Sequence, residues 1–379
     1  MAPAPAAEAT FPPVGTLTSP PPLAEPLEPE KPKEEKPALP EKLGINKFGG
    51  FFQPSALIQV WGQYTHVEEA PSQTTFRLRR AEVRVKGEII PKTVGYFLNF
   101  DVAKTISTTN TTTNVPVTGS DSATPGTVAV TTPTLGADRS PLQDVWMSYI
   151  TEYADVVVGQ FKIPVSLEGL QSASKLLFPE RSRVVREFDD RRDIGFKIEK
   201  KIGDVFYYNV GLYNGQGQNV IDSDRAKDTG LRLEVYPIKG LTIAGVAYGT
   251  IFDRQGNVRD RLEADLRLEL ADLIVQGEYI NATTGPKARR LKGQGAYGAI
   301  AYTFIERLQP AFRIGYLDIN TDDLAPRTVQ ESGAQRQFEL GLNYLLRGHD
   351  VKFTLAGAYY AQEHGVDTTE LTFQSQVVF

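Results

Sequence analysis

The chain has 379 residues, a formal net charge of −5, no cysteine and three histidines. The absence of cysteine excludes a disulfide framework, a thiolate metal site and a cysteine nucleophile, and three histidines leave little room for a His-based metal centre. The charge balance offers no basic field for nucleic acid, and no apolar run approaches the roughly 18 residues that a membrane-spanning helix needs.

Residues 1–48 are dominated by Pro, Ala, Glu and Lys, as in Pro26–Leu27–Glu28–Pro29–Glu30–Lys31–Pro32. Closely spaced prolines remove backbone donors and block helix propagation, so this stretch is expected to be an extended, solvated tail. Met1 precedes Ala2–Pro3–Ala4–Pro5 with no basic and apolar leader regions. That pattern reads as a mature exported chain whose signal has been removed, the other reading being a cytoplasmic protein with a Pro-rich tail.

From residue 49 to 379 the period becomes two, which marks a second domain. Leu262, Ala264, Leu266, Leu268 and Leu270 alternate with Arg261, Glu263, Asp265, Arg267 and Glu269. Val351, Phe353, Leu355, Gly357 and Tyr359 alternate with Lys352, Thr354, Ala356, Ala358 and Tyr360. Such runs are strands with one apolar and one polar face. About sixteen are expected, near residues 51–64, 74–90, 94–105, 142–152, 154–161, 193–201, 205–213, 228–236, 241–252, 259–270, 273–281, 294–304, 308–318, 336–346, 350–362 and 370–379. The spacers alternate between tight turns (Pro91–Lys92, Gly203–Asp204, Gly348–His349) and long loops (107–140, 162–192, 214–227, 282–292, 319–335). An even strand count with turns at one end and loops at the other predicts an all-β, antiparallel transmembrane barrel of the bacterial outer membrane, its tail in the periplasm. A barrel this wide cannot be filled by side chains, so the polar face is expected to line water and the apolar face to meet lipid. Tyr and Phe near strand ends, among them Tyr149, Tyr153, Phe206, Tyr208, Tyr302, Phe304 and Tyr344, fit interfacial girdles.

The last strand, Leu371–Thr372–Phe373–Gln374–Ser375–Gln376–Val377–Val378–Phe379, ends on Phe. It resembles the C-terminal strands of outer-membrane proteins, which implies recognition by the barrel assembly machinery. Phe76–Arg77–Leu78–Arg79–Arg80–Ala81–Glu82–Val83, Leu142–Gln143–Asp144–Val145–Trp146 and Gly159–Gln160–Phe161–Lys162–Ile163–Pro164 follow in order. After them come Arg192–Asp193–Ile194–Gly195 and Gly211–Leu212–Tyr213–Asn214–Gly215. These landmarks resemble the phosphate-selective porin O/P family. The resemblance implies a sixteen-stranded, usually trimeric porin whose third external loop folds into the lumen as a constriction, with arginines and lysines at an anion site.

The anion-contact candidates lie on the second strand and in the loop. Arg77, Arg79, Arg84 and Lys86 cannot all share a face with Arg80 under strict alternation, so a bulge at Arg79–Arg80 is expected to turn both inward. By resemblance this pair corresponds to the family's central arginine pair, and Lys175 to a loop lysine. The bland alternative is that all are solvated wall charges. The loop 162–192 also carries Lys162, Arg181 and Arg183, with Glu180–Arg181 expected to pin it to the wall, and Arg191, Arg192 and Asp193 to mark its return. Inward acids (Glu82, Asp101, Asp144, Glu199, Glu234, Glu263, Asp265, Glu269, Glu278, Glu339) nearly balance the bases. That favours general or mildly anion-selective passage of small hydrophilic solutes over strict phosphate or polyphosphate selectivity. Lys287–Lys292 suits either anion concentration at the mouth or contact with lipopolysaccharide.

No catalytic constellation stands out. His66 and His364 are expected in loops and His349 in a turn, and no Gly-x-Ser-x-Gly elbow occurs. No enzyme, cofactor or metal is expected. A plugged, non-conducting barrel acting as an adhesin, with Thr108–Thr113 and Thr131–Thr134 as contact loops, is the alternative.

Overall fold

The structure, a computed structural model, describes residues 43–44, 49–105, 112–116, 127–131, 140–189, 192–252, 256–326, 328 and 331–379. Of the tail only Leu43–Gly44 is among them, paired with Phe51–Phe52. The threonine runs 108–111 and 132–134, and Arg191, lie outside the described residues.

The wall begins with β1 (Phe51–Val67), β2 (Gln73–Ile90), β3 (Val94–Asp101), β4 (Leu142–Ile150), β5 (Asp155–Lys162) and β6 (Arg192–Ile202). It continues through β7 (Phe206–Tyr213), β8 (Asp228–Val235), β9 (Leu241–Thr250), β10 (Val258–Leu270) and β11 (Leu273–Gly285). It ends with β12 (Leu291–Tyr302), β13 (Leu308–Asp318), β14 (Gln335–Arg347), β15 (Val351–Gln362) and β16 (Thr368–Val378). Each strand is antiparallel to the next, and β16 returns to β1 from Thr368↔Val67 to Val378↔Leu57. Closure leaves the wall without an edge, the condition for a sheet to cross a membrane. The result is a closed sixteen-stranded barrel.

The alternation read in the sequence decides the faces. On β10 Leu262 is 63% exposed while its neighbours Glu263 and Asp265 are 5% and 4% exposed, and on β15 Lys352 and Thr354 are buried between exposed Phe353 and Leu355. Tight turns join β2–β3, β6–β7, β8–β9, β10–β11 and β14–β15 at one end. In the β8–β9 turn Gly240 has φ +87, and a Cβ there would fall 2.1 Å from the Glu269 carbonyl oxygen, so only glycine fits.

Several expectations need correction. The strand foreseen over 94–105 ends at Asp101, where Asp101 Oδ1 accepts from the amide of Ala103 and starts a 3-10 turn, Val102–Thr105. His66 belongs to β1, not a loop, because β1 and β16 stay paired out to Val67↔Thr368. The loop expected over 282–292 shrinks to 286–290, since β11 and β12 remain paired as far as Thr284↔Leu291. The inner face is also less uniformly polar than expected. Val157, Phe161, Tyr213, Val246 and Tyr248 form one buried lumen cluster, and Tyr297, Ala299, Ala301 and Ala311 belong to another.

Those apolar inner surfaces exist because residues 163–189 pack on them. This segment holds α1 (Leu167–Leu170), a 3-10 turn (Ala173–Lys175) and α2 (Arg183–Phe188). Ser166 caps α1 by accepting from the Gly169 amide at 2.9 Å, and Ser182 caps α2 by accepting from the Val185 amide at 3.2 Å. Ile163 and Val165 join the first cluster; Leu177, Phe178 and Val185 join the second, against the alanines of β12 and β13. Val184 and Phe188 pack with Ile280 and Ala282 of β11. Small inward residues on these strands leave the volume that the segment fills.

Candidate functional site

Polar anchors hold the segment to lumen-facing side chains. Glu278 on β11 accepts from Ser166 Oγ (2.6 Å), the Leu167 amide (3.1 Å) and the Glu168 amide (2.7 Å). Arg313 on β13 donates to Glu168 Oε1 at 2.9 Å and also pairs with Glu339 on β14. Asn343 donates to the Leu177 carbonyl at 2.9 Å, Lys352 to that of Leu176 at 2.7 Å, and Gln376 to that of Ser174 at 3.0 Å. These contacts all lie on β11 and β13–β16, so the segment sits against that side of the lumen.

Facing the other side is a cavity of about 630 Å³, lined by strands β1–β6 and by Leu170, Ser172, Ala173 and Arg181 of the segment. Nine Lys or Arg side chains (Arg79, Arg80, Arg84, Lys86, Lys104, Lys162, Arg181, Arg192, Lys197) and three acids (Glu82, Asp101, Asp144) line it. That excess gives the cavity a positive bias. Most of its charge is already engaged. Arg84 Nε donates to Glu82 at 2.9 Å, Arg192 pairs with Asp144 at 2.9 Å, and Lys197 with Glu199 at 2.8 Å.

The sequence candidates fall as follows. The pairing of β1 with β2 slips by one residue, with Gln59 opposite Arg80 and Val60 opposite Leu78, so Arg79 is the extra residue of a bulge. The bulge turns Arg79 and Arg80 to the same side, as the sequence required. Both meet Glu180, Arg79 Nε at 3.0 Å and Arg80 Nη2 at 3.1 Å, and Arg80 also donates to Gln59 Oε1 at 2.7 Å. Arg77 lies over the Trp61 ring at 4.5 Å. Glu180 therefore reaches the wall through Arg79 and Arg80. Arg181 donates to the carbonyls of Glu168 (2.8 Å) and Gln171 (3.0 Å). Lys162 donates to the carbonyls of Gly169 (2.7 Å) and Gln171 (2.9 Å), so these two cations cap the C-terminal end of α1. Arg183 lies 4.1 Å over the Tyr360 ring. Lys175 is exposed and is not part of the cavity lining. Lys86 lines the cavity and has no carboxylate or carbonyl acceptor among the described residues. In the outer loops Arg289 pairs with Glu331 and Lys292 with Asp322 at 2.9 Å, which offsets the basic run.

Motif reading did not name Arg313, Lys352 or Arg232, although strand parity marks each as inward. Arg232 on β8 is buried with Glu234 (2.6 Å) and Asp265 (2.8 Å). The aromatic side of the cavity, Phe97, Trp146 and Phe161, was also missed.

A closed sixteen-stranded barrel with an apolar outer face, tight turns at one end and a charged, partly filled lumen defines a porin of the bacterial outer membrane. The sequence profile described as phosphate-selective porin O and P matches residues 60–245, from β1 into β9, the same family that the motifs resemble. No curated protein matches the chain. Among solved structures, an anion-selective porin from Comamonas acidovorans superposes with a TM-score of 0.61 at 11% identity, covering 87% of this chain and 100% of that one. OmpT of Vibrio cholerae gives 0.57 at 10% identity, covering 89% and 100%. Its in-vitro folded trimer form gives 0.54 at 9%, covering 86% and 99%. At such identities the likeness is one of fold.

Proposed function

We propose that the barrel is a passive diffusion channel for small hydrophilic solutes, with a modest preference for anions and without a strict phosphate site. The observation that carries this reading is the placement of Glu180 between Arg79 and Arg80. A carboxylate of the protein itself occupies the arginine pair that a bound phosphate would need, while the cavity as a whole keeps more cations than acids. Such a lumen draws anions by its diffuse field and lets them go. The segment 163–189 acts as the constriction.

The remaining roles follow from this reading. The chain works as a channel, not as an enzyme. It assembles as a homotrimer, in keeping with the trimer form of the Vibrio cholerae OmpT. Strand β16, ending at Phe379, is the signal for the barrel assembly machinery. The outer loops meet lipopolysaccharide, and the tail 1–48 lies in the periplasm.

The test is the reversal potential of the reconstituted channel across a KCl gradient, followed by addition of phosphate. A small shift toward chloride with no saturable block is the expected result. Block by low-millimolar phosphate that disappears in Arg79→Ala would establish a true phosphate site instead. Absence of any conductance would favour a plugged surface barrel.

A further inference from the structure

The cavity has an aromatic side that inorganic anions do not need. Phe97 on β3 and Trp146 on β4 are directly opposite in register, with ring centroids 5.6 Å apart and planes inclined by 35°. Both line the cavity. On the other side of Phe97, again in register, stands Lys86 on β2. Lys86 is exposed to the cavity and has no acceptor among the described residues, whereas the neighbouring Arg84 and Arg192 are held by acids.

The same row is bare beyond Trp146. Its register partner on β5 is Gly159, whose partner on β6 is Gly195. Gly159 has φ +137, and a Cβ there would fall 2.7 Å from Trp146 Cα, so no larger residue fits beside the indole. One rung of the wall thus reads, around the barrel, cation, ring, ring, glycine, glycine.

We propose that Phe97 and Trp146, with Lys86 beside them, form a stacking subsite for organic anions that carry a planar apolar body, the class of aromatic carboxylates. The ligand's ring lies on the aromatic pair and its carboxylate meets the Lys86 ammonium. Ring stacking selects the body, and a lysine with no internal partner supplies the charge without first breaking an ion pair. Inorganic phosphate has nothing to place on the rings. This subsite rests on the diffusion-channel reading and names the solute class that the channel favours.

The test compares benzoate with acetate, which has the same carboxylate and no ring, at equal ionic strength on the full-length channel in a planar bilayer. Benzoate should reduce KCl conductance saturably and acetate should not. Trp146→Ala should weaken the benzoate effect about tenfold, Trp146→Phe much less, and Lys86→Gln should weaken it while leaving the preference for benzoate over acetate. Equal effects of the two anions on the wild-type channel, or a benzoate effect untouched by Trp146→Ala, would overturn the subsite while the channel reading stands. A second readout in detergent separates the two readings further. Quenching of tryptophan emission by 4-nitrobenzoate that is lost in Trp146→Phe would uphold the subsite even in a barrel that fails to conduct. Absence of such quenching, like indifference of conductance to the ring, would remove it.

Discussion

Arg313 on the barrel wall holds Glu168 of the inward segment at 2.9 Å, with both side chains about 1% exposed. The pair lies on the opposite side of the segment from the open cavity and joins two residues 145 positions apart. A second acid, Glu339, shares the same guanidinium. Removing one member of a buried ion pair leaves an uncompensated charge and costs about 3–5 kcal/mol. Arg313→Ala should therefore loosen the segment, while the backbone ladder of the barrel remains paired. Single-channel recording should show higher and noisier conductance, and unchanged conductance would mean that this anchor does not hold the constriction.

Glu180→Gln tests the opposite contact. It removes the carboxylate between Arg79 and Arg80, while Glu168, Glu278, Asn343 and Lys352 still hold the segment. Two charge-assisted donors, each worth about 1.5–3 kcal/mol to an anion, then face the pore. The anion-to-cation permeability ratio should rise, and a phosphate block about tenfold or more stronger than in the wild type should appear. A reversal potential identical to wild type would put the arginine pair outside the ion path. Arg79→Ala and Arg80→Ala in the wild-type background should by contrast shift selectivity only slightly toward cations.

Excision of about ten residues around Lys175 should enlarge the pore. The excised stretch includes Leu177 and Phe178, which fill space against β12 and β13, and the Leu176 and Leu177 carbonyls bound by Lys352 and Asn343. Conductance should increase, with heat-modifiable gel migration retained. Equal conductance would place the constriction elsewhere.

The alternation of apolar and charged residues made the barrel legible. Lys352, Thr354 and Tyr360 face the lumen because even numbers of positions separate them along one strand, a fact that needs no knowledge of distant chain. The bulge at Arg79 was legible for the same local reason. The partners of the lumen charges were not. Glu180 finds Arg79 and Arg80 about a hundred residues back along the chain, and Lys162 and Arg181 turn to the carbonyls closing α1. Such choices follow from the path of the segment through the lumen, which periodicity does not encode. Phe97 and Trp146 were hidden differently: on a barrel strand an aromatic is expected on the lipid face, and these two face inward.

His349, in the tight turn between β14 and β15, supplies a pH signature. Burial, then the nearby charges of Lys352 and Lys175, push its imidazole down from 6.5 to about 3, so the folded protein keeps it neutral. The unfolded chain takes up the proton below about pH 6.5, and the folded state loses stability as pH falls from there toward 3, by up to about 1.4 kcal/mol per unit. Urea unfolding in detergent should show this loss between pH 6.5 and 4, and His349→Gln should flatten it. An identical pH profile for the variant would assign the effect to other groups.

Deletion of residues 2–46 should leave heat-modifiable folding intact, since the barrel closes through β16 and β1. Failure of the truncated chain to fold would make the tail part of the assembly route.

The bulge on β2 has a consequence for how such pores diverge. Val60, on the lipid face, stands opposite Leu78, while Gln59 and Trp61, on the lumen face, stand opposite Arg80 and Arg77. Arg79 has no register partner, so it adds a charge to the lumen without displacing any residue that meets lipid. Losing that single codon would yield a regular strand with every other side chain on its present face and one positive charge fewer. Substitution must trade one wall residue for another, whereas insertion and deletion at this site alter the electrostatics alone. Pore selectivity at β2 is thus open to change by indels, a route closed on a strand that alternates without a break, such as β10, because a one-residue slip there would turn charges into the bilayer.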